Sequence, residues 1–202
     1  IAVAPVAMFA LFFSPVIGMN MHKVDLRYLI ATGFALFAFG AWYSSLLTPD
    51  STITHIMLTR FLFGMGIPFF FIPLGSLIMD GLEGEEITSA AGLSNFLRTL
   101  GGAVGTAVFV TIWSRRTTFH HARLTEVAIP GNPMYEQFMV QLGNGGMNAA
   151  QRFTLLDGMI SQQAATQATL DVLYLTAVLF VGMIALTFFA KPVKGAAATG
   201  GH

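Results

Sequence analysis

Long apolar segments separated by polar connections dominate this chain. Four of them contain no acidic or basic residue, and a fifth contains one arginine. A helix needs roughly 20 apolar residues to cross roughly 30 Å of hydrocarbon, so each segment predicts a transmembrane helix. We therefore expect an all-α integral membrane fold with five transmembrane helices. The segments are residues 1–21, 28–47, 61–79, 88–113 and 172–190.

The composition supports a membrane protein and excludes several other classes. Hydrophobic residues make up 54% of the chain and charged residues 10%, with a mean hydropathy of +0.69, whereas a soluble domain is roughly a quarter charged. The net charge is zero, which gives no reason to expect nucleic-acid binding. The absence of cysteine excludes disulfides and thiolate chemistry. His120 and His121 are adjacent, so they point in different directions on a helix, and we expect no metal and no cofactor.

The spacing of the apolar segments divides the chain into four parts. Residues 1–113 contain the first four predicted spans, residues 114–171 form a long connection, and residues 172–190 form the last span. The Gly/Ala-rich tail 191–202 is expected to be disordered, because it cannot bury enough surface to offset its ordering entropy. The sequence starts inside an apolar run without a basic leader, so we expect it to be a piece of a longer polypeptide.

Basic residues predict the orientation of the spans. Lys23 and Arg27 lie in the first short connection and Lys191 follows the last span, and such residues favour the cytoplasmic side. The long connection is then expected on the outer side. Arg115 and Arg116 lie on that outer side and are exceptions to this pattern.

Arg98 is the one charged residue within a predicted span. Without it, the apolar run 99–113 would be only about 22 Å long as a helix, too short to cross the membrane. Arg98 is therefore expected at depth, facing the bundle interior or a wet cavity, and it needs a polar partner. Ser94, Asn95 and Thr99 are its polar neighbours along the helix. The cluster either contributes to substrate binding or coupling, or binds carbonyls or a carboxylate of another helix.

The third predicted span contains Gly64, Gly66, Pro68 and Pro73. Proline removes a helix hydrogen bond that neighbours or a cavity must satisfy again, so these residues predict bends in a helix that moves. The alternative is that they reflect the ordinary abundance of glycine and proline in membrane helices.

The long connection has helix signals of its own. Asn132 and Pro133 predict a helix start, with asparagine as the cap and proline in the first turn. Glycines at 143–146 interrupt that helix, and Asn148 predicts a second cap. From there one helix is expected to run over 149–190 into the last span, roughly 60 Å.

Phe153, Leu156 and Ile160 form an apolar stripe at helical spacing in the part of this helix expected outside the membrane. A stripe outside lipid needs a partner surface. It either packs on Phe138 and Met139 of the same connection or docks to another protein.

The first connection, residues 18–27, is a tight turn in which basic and acidic residues alternate. Gly18, Lys23, Asp25 and Arg27 are its candidate gating residues, because ion pairs there would break when the helices shift. The alternative is a simple positive-inside anchor.

This turn resembles the cytoplasmic motif A of the major facilitator superfamily, in the altered form of the second half of such transporters. Lys23 and Arg27 keep the basic positions, while His22 replaces an acid and Asp25 a glycine. The run LSNFLRTLGGAVGT at 93–106 is more specific and is similar to the penultimate span of the fourteen-helix drug:proton antiporters of the EmrB type.

The resemblance covers the whole chain. It implies five of the six helices of the C-terminal bundle, in a non-enzymatic, proton-driven exporter of lipophilic drugs or toxins in the bacterial inner membrane. It also implies an N-terminal remainder that carries the proton-coupling residues, and partnership with a periplasmic adaptor and an outer-membrane channel.

Three alternatives stay open at this point. The chain is part of an exporter of fatty acids or another metabolite, a membrane-embedded enzyme, or a non-transporting assembly subunit. An enzyme would need convergent acids, histidines or a nucleophile at one depth, and the predicted spans offer Arg98 alone.

Overall fold

The computed structural model describes residues 4–47 and 51–189, and within them all regular structure is helical. Helices α2, α3, α4 and α6 are long and apolar enough to cross a membrane, which confirms the all-α membrane fold. The first predicted span is described as α1, and its membrane crossing stays a prediction. The predicted tail 191–202 and Lys191 lie outside the described residues. The helices are α1 (Ala4–Asn20), α2 (Leu26–Ser45), α3 (Ile53–Met79), α4 (Glu85–Val127), α5 (Pro133–Asn144) and α6 (Ala149–Thr187), with a 3₁₀ turn at Met21–Lys23.

The described residues form two compact units. The first contains those up to Val104 together with those from Leu173 onward, and the second is Gly105–Val172. Both α4 and α6 contribute one part to each unit.

Glycines allow α2 and α3 of the first unit to approach closely. A Cβ added at Gly33 would lie 3.0 Å from the backbone nitrogen of Phe70, and one added at Gly66 would lie 2.7 Å from the ring of Phe37. Close approach of helix backbones through small residues is a usual basis of packing in lipid, where no hydrophobic effect drives helices together.

Aromatic rings fill the space beside these glycines. Phe34 lies 5.0 Å from Phe70 and 5.9 Å from Phe180 between ring centroids, and Phe37 lies 5.4 Å from Phe180. This cluster therefore joins α2, α3 and α6. Aromatic pairs in such tilted arrangements add to the stabilisation that burial gives.

Helix α3 continues through all of its predicted bend residues. Gly64, Gly66, Pro68 and Pro73 are buried within one α-helix, and Gly66 is a contact point for α2. Packing accounts for Gly66, and bending at these four positions stays a prediction. The helix also begins at Ile53, a full two turns before the predicted span.

In the second unit, the starts of α5 and α6 agree with the sequence predictions. The Asn132 side chain accepts a hydrogen bond from the Met134 backbone N–H at the start of α5, and α5 ends at Asn144 in the glycine run. Asn148 and Gln151 cap each other's backbone N–H groups at 2.9 Å where α6 begins. Both caps are confirmed, as is a helix that runs from Ala149 without a break to Thr187.

Helix α4 is longer than the sequence pattern indicates. The predicted span ends at Trp113, but the helix continues to Val127 and reaches 43 residues, about 65 Å at helical rise. The extension was missed because polar and basic residues replace the apolar run after Trp113. Both α4 and α6 are about twice as long as the hydrocarbon layer is thick, so a large part of each lies outside it.

Gly66→Ala should destabilise the first unit, because the new methyl group would overlap the Phe37 ring, which other rings hold in place. Overpacking of this kind costs about 1–3 kcal/mol. Thermal unfolding of the purified full-length protein measures the effect. Gly75→Ala is the matched control on the same helix, since no neighbour in the described part of the chain lies within 4 Å of its added Cβ. Equal melting temperatures for the two variants would contradict the close contact.

Candidate functional site

The candidate substrate cluster lies on one stretch of α4. The Arg98 Nη2 donates a hydrogen bond to the Asn95 side-chain oxygen at 2.8 Å, and the Thr99 hydroxyl donates to the Asn95 carbonyl at 2.9 Å. Ser94 is half-buried, and the other three side chains are exposed. The structure thus brings Arg98 and Asn95 together, while Thr99 bonds to the backbone of its own helix.

This face of α4 is open within the described part of the chain. None of the described side chains of α4 is buried, and no described atom lies within 4 Å of a Cβ added at Gly101 or Gly105. A guanidinium has five N–H donors, and the bond to Asn95 uses one of them. The remaining donors of Arg98 are suited to carbonyls or to an anionic group of a ligand.

The turn 18–27 differs from the ion-paired arrangement that its charges suggest. Asp25 caps α2 by accepting a hydrogen bond from the Arg27 backbone N–H at 3.0 Å. Lys23 donates to the Asn20 side chain at 3.4 Å. Capping satisfies a backbone donor at the helix start, so the Asp25 carboxylate serves the helix rather than a neighbouring cation. No described atom lies within 4 Å of a Cβ added at Gly18.

Arg27 has an unusual environment. Its Nε is buried and has no hydrogen-bond partner among the described residues, and an unsatisfied buried donor costs roughly 1–3 kcal/mol when neutral and more when charged. The side chain lines a cavity of about 370 Å³ between α2, α3 and α6.

Sequence reasoning missed an ion-pair cluster in the second unit. Arg116 donates from Nη2 and Nε to the same Asp171 oxygen at 2.7 and 2.8 Å, and His120 Nε2 lies 2.5 Å from it. Burial alone raises the pKa of the Asp171 carboxyl, but hydrogen bonds and charges of His120 and Arg116 outweigh burial and lower it. Arg116, which was an exception to the positive-inside pattern, thus has a structural partner.

Further polar contacts join α4 and α6 on either side of this cluster. The Trp113 indole N–H donates to the Thr169 hydroxyl at 3.1 Å, and His121 Nε2 lies 3.7 Å from an Asp157 oxygen. The partners are more than 30 residues apart in sequence, so local spacing gives no signal of them. A pairing between the two long helices becomes visible only once α4 is known to extend past Trp113.

The apolar stripe of α6 divides in the structure. Leu156 and Ile160 are half-buried and line a cavity of about 490 Å³ together with Phe138 of α5. Phe153 is 55% exposed. Leu156 and Ile160 therefore face the same cavity as Phe138, while Phe153 is accessible to another molecule.

Comparisons with known proteins agree on one group of relatives, although no family model matches the chain. The multidrug export protein EmrB of Escherichia coli is 34% identical over 100% of this chain and 40% of its own length. EmrB of Haemophilus influenzae is 33% identical over 96% of the chain and 38% of its own length. The fatty acid resistance protein FarB of Neisseria gonorrhoeae is 32% identical over 95% of this chain and 38% of its own length. The chain thus spans about two fifths of the length of these relatives.

Asp171→Asn should weaken the contact between α4 and α6. Because the folded pKa of Asp171 is lowered, its contribution is present above the unfolded value of about 4 and is lost as the pH falls below it. At pH 7 we expect a loss of roughly 1 kcal/mol or less, since the pair is partly exposed.

Thermal unfolding of the full-length protein at pH 7 and below pH 4 measures this difference. The difference in stability between the wild-type protein and Asp171→Asn should be smaller below pH 4 than at pH 7. Asp157→Asn is the matched control, because Asp157 is 74% exposed and lies farther from its histidine. A loss of stability that does not depend on pH would show that Asp171 acts through packing alone.

Proposed function

The chain belongs to the EmrB-type exporters of the major facilitator superfamily, and on that basis we propose that it is part of a proton-driven transporter of lipophilic drugs or toxins. The observation that carries this proposal is similarity along almost the whole chain to proteins named as multidrug exporters. The four long apolar helices support a multi-pass membrane location. The bacterial inner membrane is the location that we propose.

Arg98 is the proposed binding or coupling residue of this part of the transporter. Its guanidinium is held at one nitrogen by Asn95, which orients the fork and leaves donors for a polar group of the cargo. Ser94 and Thr99 lie on the same stretch and extend its polar surface. From the resemblance to this family we infer that the first, third and fourth spans of this chain border the transport cavity, and we propose that this cluster faces it.

The bend residues of α3 and the turn 18–27 are the proposed moving parts. Pro68 and Pro73 each remove a backbone hydrogen bond, which lowers the resistance of α3 to bending. The turn joins α1 and α2 through a short 3₁₀ segment, Met21–Lys23. A shift between these helices would change the contacts of Lys23 and Asp25, whose side-chain hydrogen bonds lie within this turn.

Export of fatty acids is a second candidate function. FarB, which is named as a fatty acid resistance protein, matches the chain at 32% identity, close to the values for the two EmrB proteins. Both candidates require the same fold and the same direction of transport. They differ in whether the cargo carries a carboxylate, which a guanidinium binds well.

A periplasmic adaptor protein and an outer-membrane channel are the proposed partners. Phe153 supports an adaptor contact, because it is a large apolar side chain, 55% exposed, on a part of α6 that we place outside the membrane. An exposed aromatic residue is typical of protein interfaces. Leu156 and Ile160 would support this contact indirectly, by holding α5 against α6.

Arg98→Ala should reduce drug export by about tenfold or more, the scale of a lost charge-assisted hydrogen bond, without an equal fall in protein level. Arg98→Lys should restore export only in part, because lysine lacks the planar fork. Proton-gradient-dependent dye or drug efflux from cells measures the effect. Arg123→Ala is the matched control, an exposed arginine on the same helix. Normal efflux by Arg98→Ala would reduce Arg98 to a structural residue.

Phe153→Asp should leave the transporter folded and inserted but reduce recovery of the adaptor, because a carboxylate would replace the exposed ring. Co-purification of the adaptor with the full-length transporter measures this loss. Thr154→Asp introduces the same charge on the neighbouring, already polar position and serves as the control. Undiminished recovery with Phe153→Asp would show that the stripe serves only its own unit.

A further inference from the structure

The cavity beside Arg27 combines one cation with apolar walls. It lies where α2 begins and where α3 and α6 end, and encloses about 370 Å³. Its walls include Ile30, Leu74 and Met183 from these three helices. Among the residues that line it, Arg27 is the charged one. The site therefore has the form of an apolar pocket with a positive group at its edge.

The positive charge of Arg27 is not balanced within the described part of the chain. Its Nε is buried without a partner there, and Asp25, two residues earlier, accepts a hydrogen bond from the backbone N–H of Arg27. The ion pairs of the described residues involve Arg116, His120 and His121. A guanidinium stays charged at all physiological pH values, so the side chain of Arg27 favours an anion supplied by a ligand.

We propose that this cavity binds an anionic amphiphile, with its carboxylate or phosphate on Arg27 and an alkyl chain along the apolar walls. A carboxylate or phosphate matches the planar donor fork of arginine. A neutral lipophile would leave the guanidinium without a counter-charge, and a small hydrophilic anion would leave the walls in contact with water. The positive Arg27 and the apolar walls together therefore favour a molecule that has an anionic head group and an alkyl chain.

The position of Arg27 on α2 fits a ligand whose anionic group lies at the membrane surface and whose alkyl chain points into the cavity. It is the second residue of α2, so its head group lies near the membrane surface, where the polar ends of lipids are found. The cavity is at the small end of the usual range for ligand pockets, about 300–1,000 Å³, which suits a single alkyl chain. A free fatty acid and one chain of an anionic phospholipid share this chemistry.

Native mass spectrometry of the full-length transporter in neutral detergent tests the site. The probes are palmitate, dioleoylphosphatidylglycerol and hexadecanol, which has an alkyl chain like that of palmitate but no charge. We expect one or both anionic probes to be retained about tenfold more than hexadecanol, the effect of a charge-assisted contact. Retention of palmitate alone identifies a fatty acid site, and retention of the phospholipid alone identifies a lipid site.

Variants locate the binding. Arg27→Gln should remove the preference for the anionic probes, while Arg123→Gln, an exposed arginine outside the cavity lining, should keep it. Photoreactive palmitate should crosslink to α2, α3 or α6 at the cavity walls. Equal retention of hexadecanol by the wild-type protein, unchanged selectivity in a folded Arg27→Gln variant, or crosslinks elsewhere would each overturn the proposal. Because binding is measured without transport, these results are separate from the test of export.

Discussion

The absence of water from the hydrocarbon layer is the constraint on which the rest of this structure depends. A backbone polar group that finds no partner there costs several kcal/mol, so the chain satisfies its own groups in long helices. Between such helices no hydrophobic effect operates, and close contact must come from shape. The glycine at 66 against Phe37 and the rings around Phe34 meet that need within the first unit.

The same constraint explains which charged residues have found partners. Arg116 and His120 lie past the end of the apolar run of α4, and Asp171 lies just before the apolar run of α6. Water screens part of their charge there, and they form a compact ion-paired group. Arg98 lies inside an apolar run and has an amide rather than a carboxylate as its neighbour. Arg27 is at the beginning of a span, with a donor turned away from solvent. The partners of the last two are thus to be sought in ligands or in other parts of the full-length protein.

Features set by neighbouring residues in the sequence were predictable, and features set by distant ones were not. The caps at Asn132 and Asn148 and the helix that follows Asn148 depend on local spacing, and they were predicted correctly. The extension of α4 to Val127 was missed, because its helix is held by pairing with α6 rather than by an apolar pattern. Asp171 likewise shows no sign in the sequence of its contact with Arg116, 55 residues away.

The span of these contacts along the chain also bears on the order in which the second unit forms. Asn148 and Gln151 cap each other across three residues, and Arg152 reaches the Met139 carbonyl across 13. The Arg116–Asp171 contact must instead close a loop of 55 residues, and loop closure costs more entropy as the loop grows. Short-range contacts form faster than long-range ones, so the turn between α5 and α6 is expected to form early. Joining α4 to α6 is then the late, slower step by which this part of the newly made chain reaches its final shape.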